Sequence, residues 1–401
     1  MKQRLLCSML LLLCVFGARA TEPGIYGACG DELTLTVTNH GSHQRHEVVE
    51  VSYAAVCRKL GINATTPIVV RNSVGQEQVY QITHDGLLLL EVSVQPHSTA
   101  KYAVVRGMPS TFKPSVKGKV YPERADDLTW ENDRGIYRMY GPALQRAGEK
   151  AYGTDVWVKN TPELVVEERY RSHIRGVAQR DSLYRIGKKK EAGDIYMKTS
   201  FHHDHGYGLD CYGVGATLGC GTPALVRNGQ LLFPYCWQKC DIRDNGPLRF
   251  TAALTYGKTA DGITEYRLVR LDKGSHFNRI TVSYDGISQP TGLAAGVVLH
   301  DDKNLVLGKN YVLYADPTEN PQANQSYVYV GTLFPEGIDE TVSWGDSPRH
   351  GLGVIRKYTK PYTYYFGSAW SNYDVCTFVQ WQQVADEYLY NLSNPLTIQL
   401  Q

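Results

Sequence analysis

The chain has 401 residues, with 42 Lys and Arg against 40 Asp and Glu, so its formal net charge is only +2. This balance excludes the concentrated basic surface that nucleic-acid binding requires, and nucleic acid is not an expected partner. The basic run of Arg185 with Lys188, Lys189 and Lys190 is short, and we interpret it as a solvated loop.

Residues 1–20 follow the pattern of a secretory signal peptide. Lys2 and Arg4 precede an apolar stretch over residues 5–16, and Ala18-Arg19-Ala20 supplies small residues for cleavage. We expect cleavage after Ala20, a mature net charge of about −1 and a periplasmic or secreted protein. No run of about 18 apolar residues follows, so no transmembrane segment is expected.

Cysteine usage leaves the redox chemistry open. Seven cysteines follow the predicted leader, so at least one is free or pairs with another chain. Export would permit disulfides such as Cys211 with Cys220 or Cys236 with Cys240. The alternative is that most of them are small buried apolar residues, and spacing alone does not choose.

Short alternating segments fill the first part of the mature chain. Strand patterns cover residues 33–39, 47–53, 67–70, 79–82, 87–94 and 101–105. Turn residues such as Asp85-Gly86 separate them, and together they predict a β-sandwich domain over residues 21–108. Residues 109–125 are rich in Gly, Pro and basic side chains and are predicted to be a linker.

The remainder, residues 126–401, is predicted to be a large antiparallel β domain, so the fold class is all-β. Strand candidates are residues 135–140, 155–158, 164–170, 249–256, 264–271, 278–284, 296–299, 311–315, 326–333, 354–357 and 362–366. Helices are expected only near residues 142–149 and 370–387. Many strands without alternating long helices favour a sandwich over a βαβ fold.

The first candidate site is the turn Trp130-Glu131-Asn132-Asp133-Arg134. Glu131 or Asp133 could act as a general acid or base, and Arg134 could hold a sugar carboxylate through two parallel hydrogen bonds. Trp130, and Tyr140 at the end of the following strand, are candidates for sugar contact. The competing interpretation is a surface turn with a local Asp–Arg pair.

The second candidate is Asp155-Val156-Trp157-Val158-Lys159. Alternation along a strand would place Asp155, Trp157 and Lys159 on one face. An acid, an aromatic platform and a cation on one face could line a sugar cleft. A half-exposed strand with a cross-strand ion pair explains the pattern equally well.

The densest candidate is the glycine-rich stretch 201–221, which holds His202, His203 and His205 within four positions. Glycine lets a backbone turn sharply and approach a ligand closely. If residues 201–205 form a strand, His203 and His205 share one face, and His202 and Asp204 share the other. These four side chains could bind a divalent metal, although no closed ligand spacing is present. No other cofactor is expected.

The same stretch could support a lyase. The ordinary pKa of histidine lies near neutrality, which suits abstraction of the proton beside a uronate carboxylate. We expect His202, His203 or His205 to act with Tyr207 or Tyr212, while Arg134 holds the carboxylate. The competing interpretation is an ordinary loop whose histidines are hydrogen-bonded to the main chain.

A hydrolase would need two carboxylates flanking the glycosidic bond, and Asp204 or Asp210 could serve with Glu131 or Asp133. No GxSxG, HExxH, phosphate-binding loop or dinucleotide fingerprint occurs in the sequence. His276 and His300, which lie in or near predicted turns, are lesser candidates.

Four motifs occur in order along the chain: WENDRGIYRMYGPAL at 130–144, YGTDVWVK at 152–159, HDHGYGLDCYGVGATLGCG at 203–221 and NGPLR at 245–249. Together they resemble a family described as a domain of unknown function, number 4861, found in exported Bacteroidetes proteins often encoded beside polysaccharide-degradation genes. The resemblance implies an N-terminal immunoglobulin-like sandwich, a larger supersandwich similar to the galactose-mutarotase fold, and glycan processing in the periplasm. It supplies no catalytic residues.

Our leading hypothesis is a carbohydrate-active enzyme, a lyase or hydrolase of a uronic-acid-containing glycan, whose partner is an oligo- or polysaccharide substrate. The alternative is a non-catalytic carbohydrate-binding protein that uses Trp130 and Trp157. The enzyme hypothesis requires the three candidate stretches to meet around one water-accessible hollow.

Overall fold

The computed structural model of the protein describes residues 32–317 and 326–401. The predicted signal peptide, the cleavage site after Ala20, and Cys29 lie outside the described residues. Strands make up 44% and helices 17%, and the strands form several antiparallel sheets, which confirms the predicted β class.

The N-terminal part is a two-sheet sandwich. Its elements are β1 (Glu32–Asn39), β2 (Arg45–Ser52), α1 (Tyr53–Leu60), β3 (Ile68–Asn72), β4 (Glu77–Gln78), β5 (Tyr80–Ile82), β6 (Leu87–Val94) and β7 (Ser98–Arg106). One sheet has the order β1-β7-β3-β4 and the other β2-β6-β5. Leu35 and Val104 from the first sheet and Leu90 from the second belong to one buried core, which α1 also joins through Val56.

The middle part combines a four-stranded sheet with a helical hairpin. Its elements are β8 (Lys117–Tyr121), β9 (Asp127–Glu131), β10 (Ile136–Met139), α2 (Pro142–Arg146), β11 (Thr154–Trp157), α3 (Val166–Arg185) and α4 (Lys189–Thr199). The sheet order is β11-β10-β9-β8. The start of α3 packs against this sheet, because Val166 and Tyr170 share a buried cluster with Ile136 and Trp157.

The remaining elements form the two largest sheets, a final helix and a last strand. They are β12 (Cys220–Arg227), β13 (Gln230–Leu232), β14 (Trp237–Asn245), β15 (Arg249–Tyr256), β16 (Thr264–Asp272), β17 (Phe277–Asp285), β18 (Gly292–Leu299), β19 (Leu305–Leu307), β20 (Tyr311–Pro317), β21 (Tyr327–Leu333), β22 (Glu340–Trp344), β23 (Arg349–Ile355), β24 (Tyr362–Trp370), α5 (Phe378–Ser393) and β25 (Thr397–Leu400). The five-stranded sheet runs β13-β12-β18-β23-β22. The eight-stranded sheet runs β14-β15-β16-β17-β24-β21-β20-β19.

Residue patterns explain how these sheets are covered. In β16 (TEYRLVRLD), buried and half-buried residues alternate, as expected when one face meets the core. Every residue of β18 (GLAAGVVL) is buried, as expected for a strand covered on both faces. The main core joins the sheet of β8 to β11, the five-stranded sheet that contains β18 and the eight-stranded sheet. Helix α5 covers the outer face of the eight-stranded sheet, where Trp381 stacks on Phe277 at 5.0 Å.

The helical predictions needed correction. Residues 164–170, predicted as a strand, contain the start of α3, a helix of 20 residues. Its buried residues Val166, Tyr170 and His173 recur every three or four positions, which is the period of a helix and not of a strand. α5 begins at Phe378, where Thr377 and Gln380 form a capping box, and so starts later than the predicted helix at 370–387. No helix of the described residues is long and apolar enough to cross a membrane.

Polar contacts tie the N-terminal sandwich to the rest of the protein. Gln81 Oε1 accepts hydrogen bonds from the N–H groups of Leu248 and Arg249, each at 2.8 Å. The Arg249 guanidinium in turn pairs with Glu50 and Asp272, each at 2.6 Å. A neighbouring contact joins His84 to Asp244 at 2.8 Å.

The end of the chain returns to the N-terminal sandwich, where β25 pairs with β1 so that Leu35 lies opposite Leu400. Residues 109–125, predicted to be a linker, contain β8. The division into 21–108, 109–125 and 126–401 therefore stays a proposal, and in it β25 belongs with the first sheet.

Candidate functional site

Trp130, predicted to contact sugar, lies in the core. Its indole N–H donates to Asn278 Oδ1 at 2.7 Å, and its ring stacks against those of Tyr137 and Phe250 at 5.8 and 5.9 Å. The residue is 1% exposed. It therefore presents no open face on which a sugar could stack.

Glu131, predicted as an acid or base, caps the start of α3. Its Oε1 accepts from the N–H of Val166 at 2.8 Å, and its Oε2 accepts from the N–H of Val165 and from Lys159 Nζ, each at 3.0 Å. Lys159 Nζ donates to two backbone carbonyls as well. A carboxylate is favourable at a helix N-terminus, so Glu131 stabilises the start of α3. Through Glu131 and its partner Lys159, the sheet is joined to α3.

Asp133 and Arg134 bind other parts of the protein. Asp133 Oδ1 accepts from the N–H of Gly274 at 2.6 Å. Arg134 pairs with Asp374 at 2.6 Å, and His276 lies 3.0 Å from the same carboxylate. The predicted uronate clamp at Arg134 thus already has a carboxylate partner within the protein.

Arg138, which sequence analysis missed, gathers three carboxylates from three separate segments. Its guanidinium pairs with Asp155, lies 3.1 Å from Asp210 and lies 3.8 Å from Asp127. The antiparallel register of β10 and β11 sets Arg138 directly opposite Asp155. We call these four residues, none more than 5% exposed, the Arg138 cluster.

Burial governs the protonation of the Arg138 cluster. Loss of hydration raises the pKa of Asp127, Asp155 and Asp210, because a buried carboxylate is harder to ionise than an exposed one. For Asp155 burial outweighs the attraction of Arg138, and its pKa rises to about 7. Burial therefore favours the protonated form of these carboxylates, and Arg138 favours the ionised form.

Two predicted sugar-contact residues frame the Arg138 cluster. Tyr140 accepts from the Arg138 guanidinium at 3.2 Å, and the Tyr140 ring lies 4.8 Å from that cation. The Trp157 indole N–H donates to Asp155 Oδ2 at 3.1 Å, and Trp157 is 0% exposed. Trp157 thus positions a carboxylate and offers no face to solvent.

Residues 201–208 form turns instead of a strand, so the predicted alternation of histidine faces is wrong. Asp204 Oδ1 accepts from the three consecutive N–H groups of residues 206–208, at 2.8 to 3.1 Å. His205 Nε2 donates to the carbonyl of Ser200 at 2.9 Å. The glycines of this stretch favoured a turn, which the strand interpretation had set aside.

The loop is fixed against the end of β11. Gly208 has a φ of +93°, and a Cβ added there would lie 2.2 Å from the carbonyl oxygen of Val158. Only glycine fits so close to a neighbouring backbone. Beside it, the Tyr207 ring lies 5.4 Å from the guanidinium of buried Arg169.

His202 links this loop to the Arg138 cluster. Its Nδ1 donates to the carbonyl of Asp210 at 3.1 Å and lies 3.6 Å from the Asp210 carboxylate. Its side chain is 43% exposed, and partial burial lowers its pKa. His203 instead meets the edge of the Tyr196 ring, with centroids 5.5 Å apart.

No group of three or more His, Cys, Asp or Glu side chains that could hold a metal ion occurs in residues 32–317 and 326–401. The side chains of residues 202–205 have other contacts in this structure. Asp204 organises the loop backbone, and His202 and His205 bond to carbonyls on different sides of it.

The cysteines of the described residues are not joined in disulfides. Cys211, Cys220 and Cys236 are buried, and burial raises the pKa of the thiol in each. Here the alternative of small buried apolar residues describes them, and a Cys236–Cys240 bridge is absent.

A cleft of about 910 Å³, which we call the polar cleft, has residues 213–217 of the stretch 201–221 as one wall. Its other walls are residues 298–303 and 346–349. These two walls meet because β18 and β23 are neighbours, with Leu299 paired to Arg349. The charged or titratable side chains that line the cleft are His300, Asp301, Asp302, Lys303, Asp346 and Arg349.

His300 is held at the edge of this cleft by a buried acid. Its Nδ1 donates to Asp316 Oδ2 at 2.5 Å, with side chains 24% and 0% exposed respectively. The Tyr314 hydroxyl accepts from the N–H groups of His300 and Asp301 at 3.2 and 2.9 Å, and donates to Asp301 Oδ1 at 2.9 Å. The imidazole and the backbone that carries it therefore have one fixed orientation.

The stretch 210–213 connects the Arg138 cluster to the cleft. The Tyr212 ring meets the His300 ring edge-on, with centroids 6.1 Å apart. Its hydroxyl is buried and has no hydrogen-bond partner among the described residues. Burial raises the pKa of Tyr212 well above its usual value, so the phenol stays protonated.

The structure thus joins some predicted site residues and separates others. Asp155, Asp210, Tyr140 and Trp157 meet around Arg138, whereas the turn 130–134 contacts the start of α3 and the turn at Gly274. No residue of 130–134 or 155–159 lines the cleft, so the three candidate stretches do not meet around it. Most cleft side chains were missed, although His300 had been a lesser candidate. The signal was a charged run, HDDK at 300–303, directly after the fully apolar strand β18.

Sequence comparisons place the chain among known families. A model of the family described as "Domain of unknown function (DUF4861)" matches residues 37–398, which confirms the resemblance seen in the four motifs. "Uncharacterized protein P7" of Formosa agariphila is 24% identical over 362 residues, which are 84% of this chain and 83% of that protein.

Two solved structures from Enterococcus faecalis share weak overall likeness. One is an alpha-mannosidase, at 12% identity and a TM-score of 0.43, and the other is a protein of glycosyl hydrolase family 38, at 11% and 0.44. The match covers 92% of this chain but only 46% and 47% of those chains. The protein therefore spans about half the length of these structures.

Proposed function

We propose that this chain, which belongs to the DUF4861 family, is a carbohydrate-active enzyme that cleaves a uronic-acid-containing glycan by acid–base chemistry in the polar cleft. One observation carries the proposal. A quarter-exposed imidazole, His300, is oriented by the wholly buried Asp316 at the edge of a cleft of about 910 Å³. A histidine fixed by a carboxylate through one ring nitrogen is the usual form of a general base.

The cleft supplies what an acidic sugar requires. Lys303 lines it and can attract a substrate carboxylate, whereas Arg349 already pairs with Asp302 there. The cleft is open and has charged side chains on its walls, which suits a hydrated polymer better than a compact apolar ligand. The carboxylates on the same walls would bind sugar hydroxyls.

We propose β-elimination as the reaction. With Nδ1 held by Asp316, the Nε2 atom of His300 takes the proton next to the uronate carboxylate. The electron pair left on that carbon forms a carbon–carbon double bond, and the glycosidic C–O bond breaks. The leaving oxygen then takes up a proton from water in the open cleft.

The Arg138 cluster has a positioning role in this proposal. Asp210 and Tyr212 lie on one short segment, so the ion pair of Asp210 with Arg138 fixes the backbone that carries Tyr212. We assign Arg138, Asp155 and Asp210 to positioning. The histidines 203 and 205, proposed earlier as bases, have no comparable support from a cleft.

A hydrolase remains the variant reading of the same cleft, with two of its carboxylates as acid and base. A non-catalytic binding protein has less support, because Trp130 and Trp157, the proposed platforms, are 1% and 0% exposed.

The test is incubation of the mature protein with a panel of neutral and acidic polysaccharides. Unsaturated uronate absorbance reports elimination, and reducing ends report either reaction. We expect new absorbance and reducing ends on an acidic glycan only, with about 100-fold or greater loss in His300→Gln. Reducing ends without absorbance would establish hydrolysis, and no product on any glycan would overturn the proposal.

His84→Gln is the matched control. His84 also pairs with a buried acid, Asp244, at 2.8 Å, and its side chain is 25% exposed. It lies between the two sandwiches and not in the cleft, so its activity should stay at the wild-type level. Equal losses in both variants would attribute the effect to stability and not to proton transfer.

A further inference from the structure

The α3–α4 hairpin ends in a tip that the β-sheets do not cover. Residues 181–191 are all exposed except half-buried Leu183, whereas the first part of α3 is packed on the four-stranded sheet. At Gly176 the two helices touch closely, since a Cβ there would collide with Thr199. Beyond that point the hairpin extends away from the body of the protein.

The tip concentrates positive charge. Residues 180–190 contain five basic side chains and one acidic side chain, although the whole chain has a net charge of only +2. Arg180 bonds to the single acid, Asp181, and Lys188 bonds to Glu191. The side chains of Lys189 and Lys190 make no hydrogen bond or ion pair with the described residues.

Large apolar side chains lie among these cations. Tyr184 is 49% exposed and Ile186, in the turn between the helices, is 67% exposed. Neither residue is buried against the protein, so both leave apolar surface in contact with water. Polar residues could have occupied these positions at the helix ends. A solvated basic loop, as the sequence suggested, does not require this combination.

We propose that the hairpin tip, residues 180–190, docks on an anionic lipid surface. Ile186 and Tyr184 would enter the boundary between headgroups and acyl chains, while Arg185, Lys189 and Lys190 would contact lipid phosphates. An exposed aliphatic side chain in the turn favours lipid over an acidic polysaccharide, which would be recognised by aromatic and hydrogen-bonding groups. This surface is independent of the polar cleft.

The experiment is co-sedimentation of the mature chain with vesicles of phosphatidylcholine alone or with one-third phosphatidylglycerol. We expect binding to the anionic vesicles only, with a strong decrease as salt is raised. The double variant Lys189→Glu/Lys190→Glu should bind about 25-fold or more weakly. Ile186→Asp should weaken binding about 10-fold.

Matched variants separate the tip from general effects of charge. Lys357→Glu/Lys360→Glu changes the net charge equally at two other exposed lysines, and Val379→Asp replaces another exposed apolar residue, 61% exposed. Both should bind as the wild type does. Absence of vesicle binding, or binding that the tip variants do not change, would overturn the proposal. Tip-dependent binding to soluble polygalacturonate without vesicle binding would overturn it in favour of a glycan.

Discussion

The turn at residues 130–134 and the polar cleft both gather charged side chains, but those side chains contact different things. In the turn, Glu131 binds the N-terminus of α3 and Trp130 is 1% exposed. In the cleft, the side chains of His300 and Arg349 are 24% and 34% exposed. Density of polar residues in a sequence therefore does not separate a structural joint from a site. The two regions differ in whether the polar side chains already use their hydrogen-bonding atoms on the protein backbone, as Glu131 does.

The variant Glu131→Gln tests whether Glu131 is a structural residue and not a catalytic one, and we expect it to have the largest effect. The change leaves the buried Lys159 ammonium without its carboxylate, so we expect a loss of about 3–5 kcal/mol in the free energy of unfolding. Chemical denaturation measures the loss, and activity per folded molecule should be retained. Glu123→Gln, at a side chain that is 46% exposed, should change stability by less than about 1 kcal/mol. Normal stability with lost activity would restore Glu131 as a catalytic acid or base.

Asp316→Asn tests the cleft side of the comparison. An amide still fills the space but no longer fixes the charge and tautomer of His300, so kcat should fall about 10- to 100-fold with little change in KM. The rise of activity with pH should shift to lower pH, because a negative charge beside the imidazole is removed. Asp244→Asn at the matched pair should leave the pH profile unchanged. A drop in thermal stability with an unshifted profile would contradict a positioning role.

The strands were predictable because alternation of apolar residues is a local property, as β16 shows. The start of α3 was not, because its first turn is stabilised by Glu131, which is distant in the sequence. A helix cap supplied by another segment leaves no local signal, so Leu164 to Tyr170 resembled a short strand.

The site was predictable only in part, for the same reason. The motif residues Asp155 and Asp210 do meet, but Arg138, which unites them, had no special sequence context. The cleft arises where β18 and β23 pair, and that pairing joins residues about fifty positions apart. His300 and Asp316 each looked ordinary alone, and they meet only because β18 and β20, which belong to different sheets, pack against each other.

A smaller effect distinguishes the Arg138 cluster from the exposed cleft. The pKa of Asp155 is raised to about 7, so between pH 4 and 7 the folded state binds more protons than the unfolded state does. The free energy of unfolding should therefore fall as pH rises through this window. Asp155→Asn removes that dependence, so the stability of the variant relative to wild type should improve by up to about 4 kcal/mol from pH 4 to pH 8.

Thermal denaturation of both proteins at several pH values measures this difference. Asp241→Asn, at a side chain that is 55% exposed, is the control and should run parallel to wild type. A relative stability that worsens with rising pH would mean that Asp155 is ionised in the fold and that Arg138 outweighs burial.

The smallest effect is expected at Arg134, the residue first proposed to hold the uronate carboxylate. Its pairing with Asp374 is partly exposed, at 35% and 21% of the two side chains, so Arg134→Ala should cost less than about 1 kcal/mol of stability. The KM for an acidic glycan should stay within about two-fold of wild type, as it should for Arg356→Ala, whose side chain is 70% exposed. If Arg134 instead held the substrate, its removal would raise KM at least about ten-fold and spare neutral glycans. That result would move the substrate from the cleft to the turn, because one sugar carboxylate cannot pair with Arg134 while Lys303 holds it in the cleft.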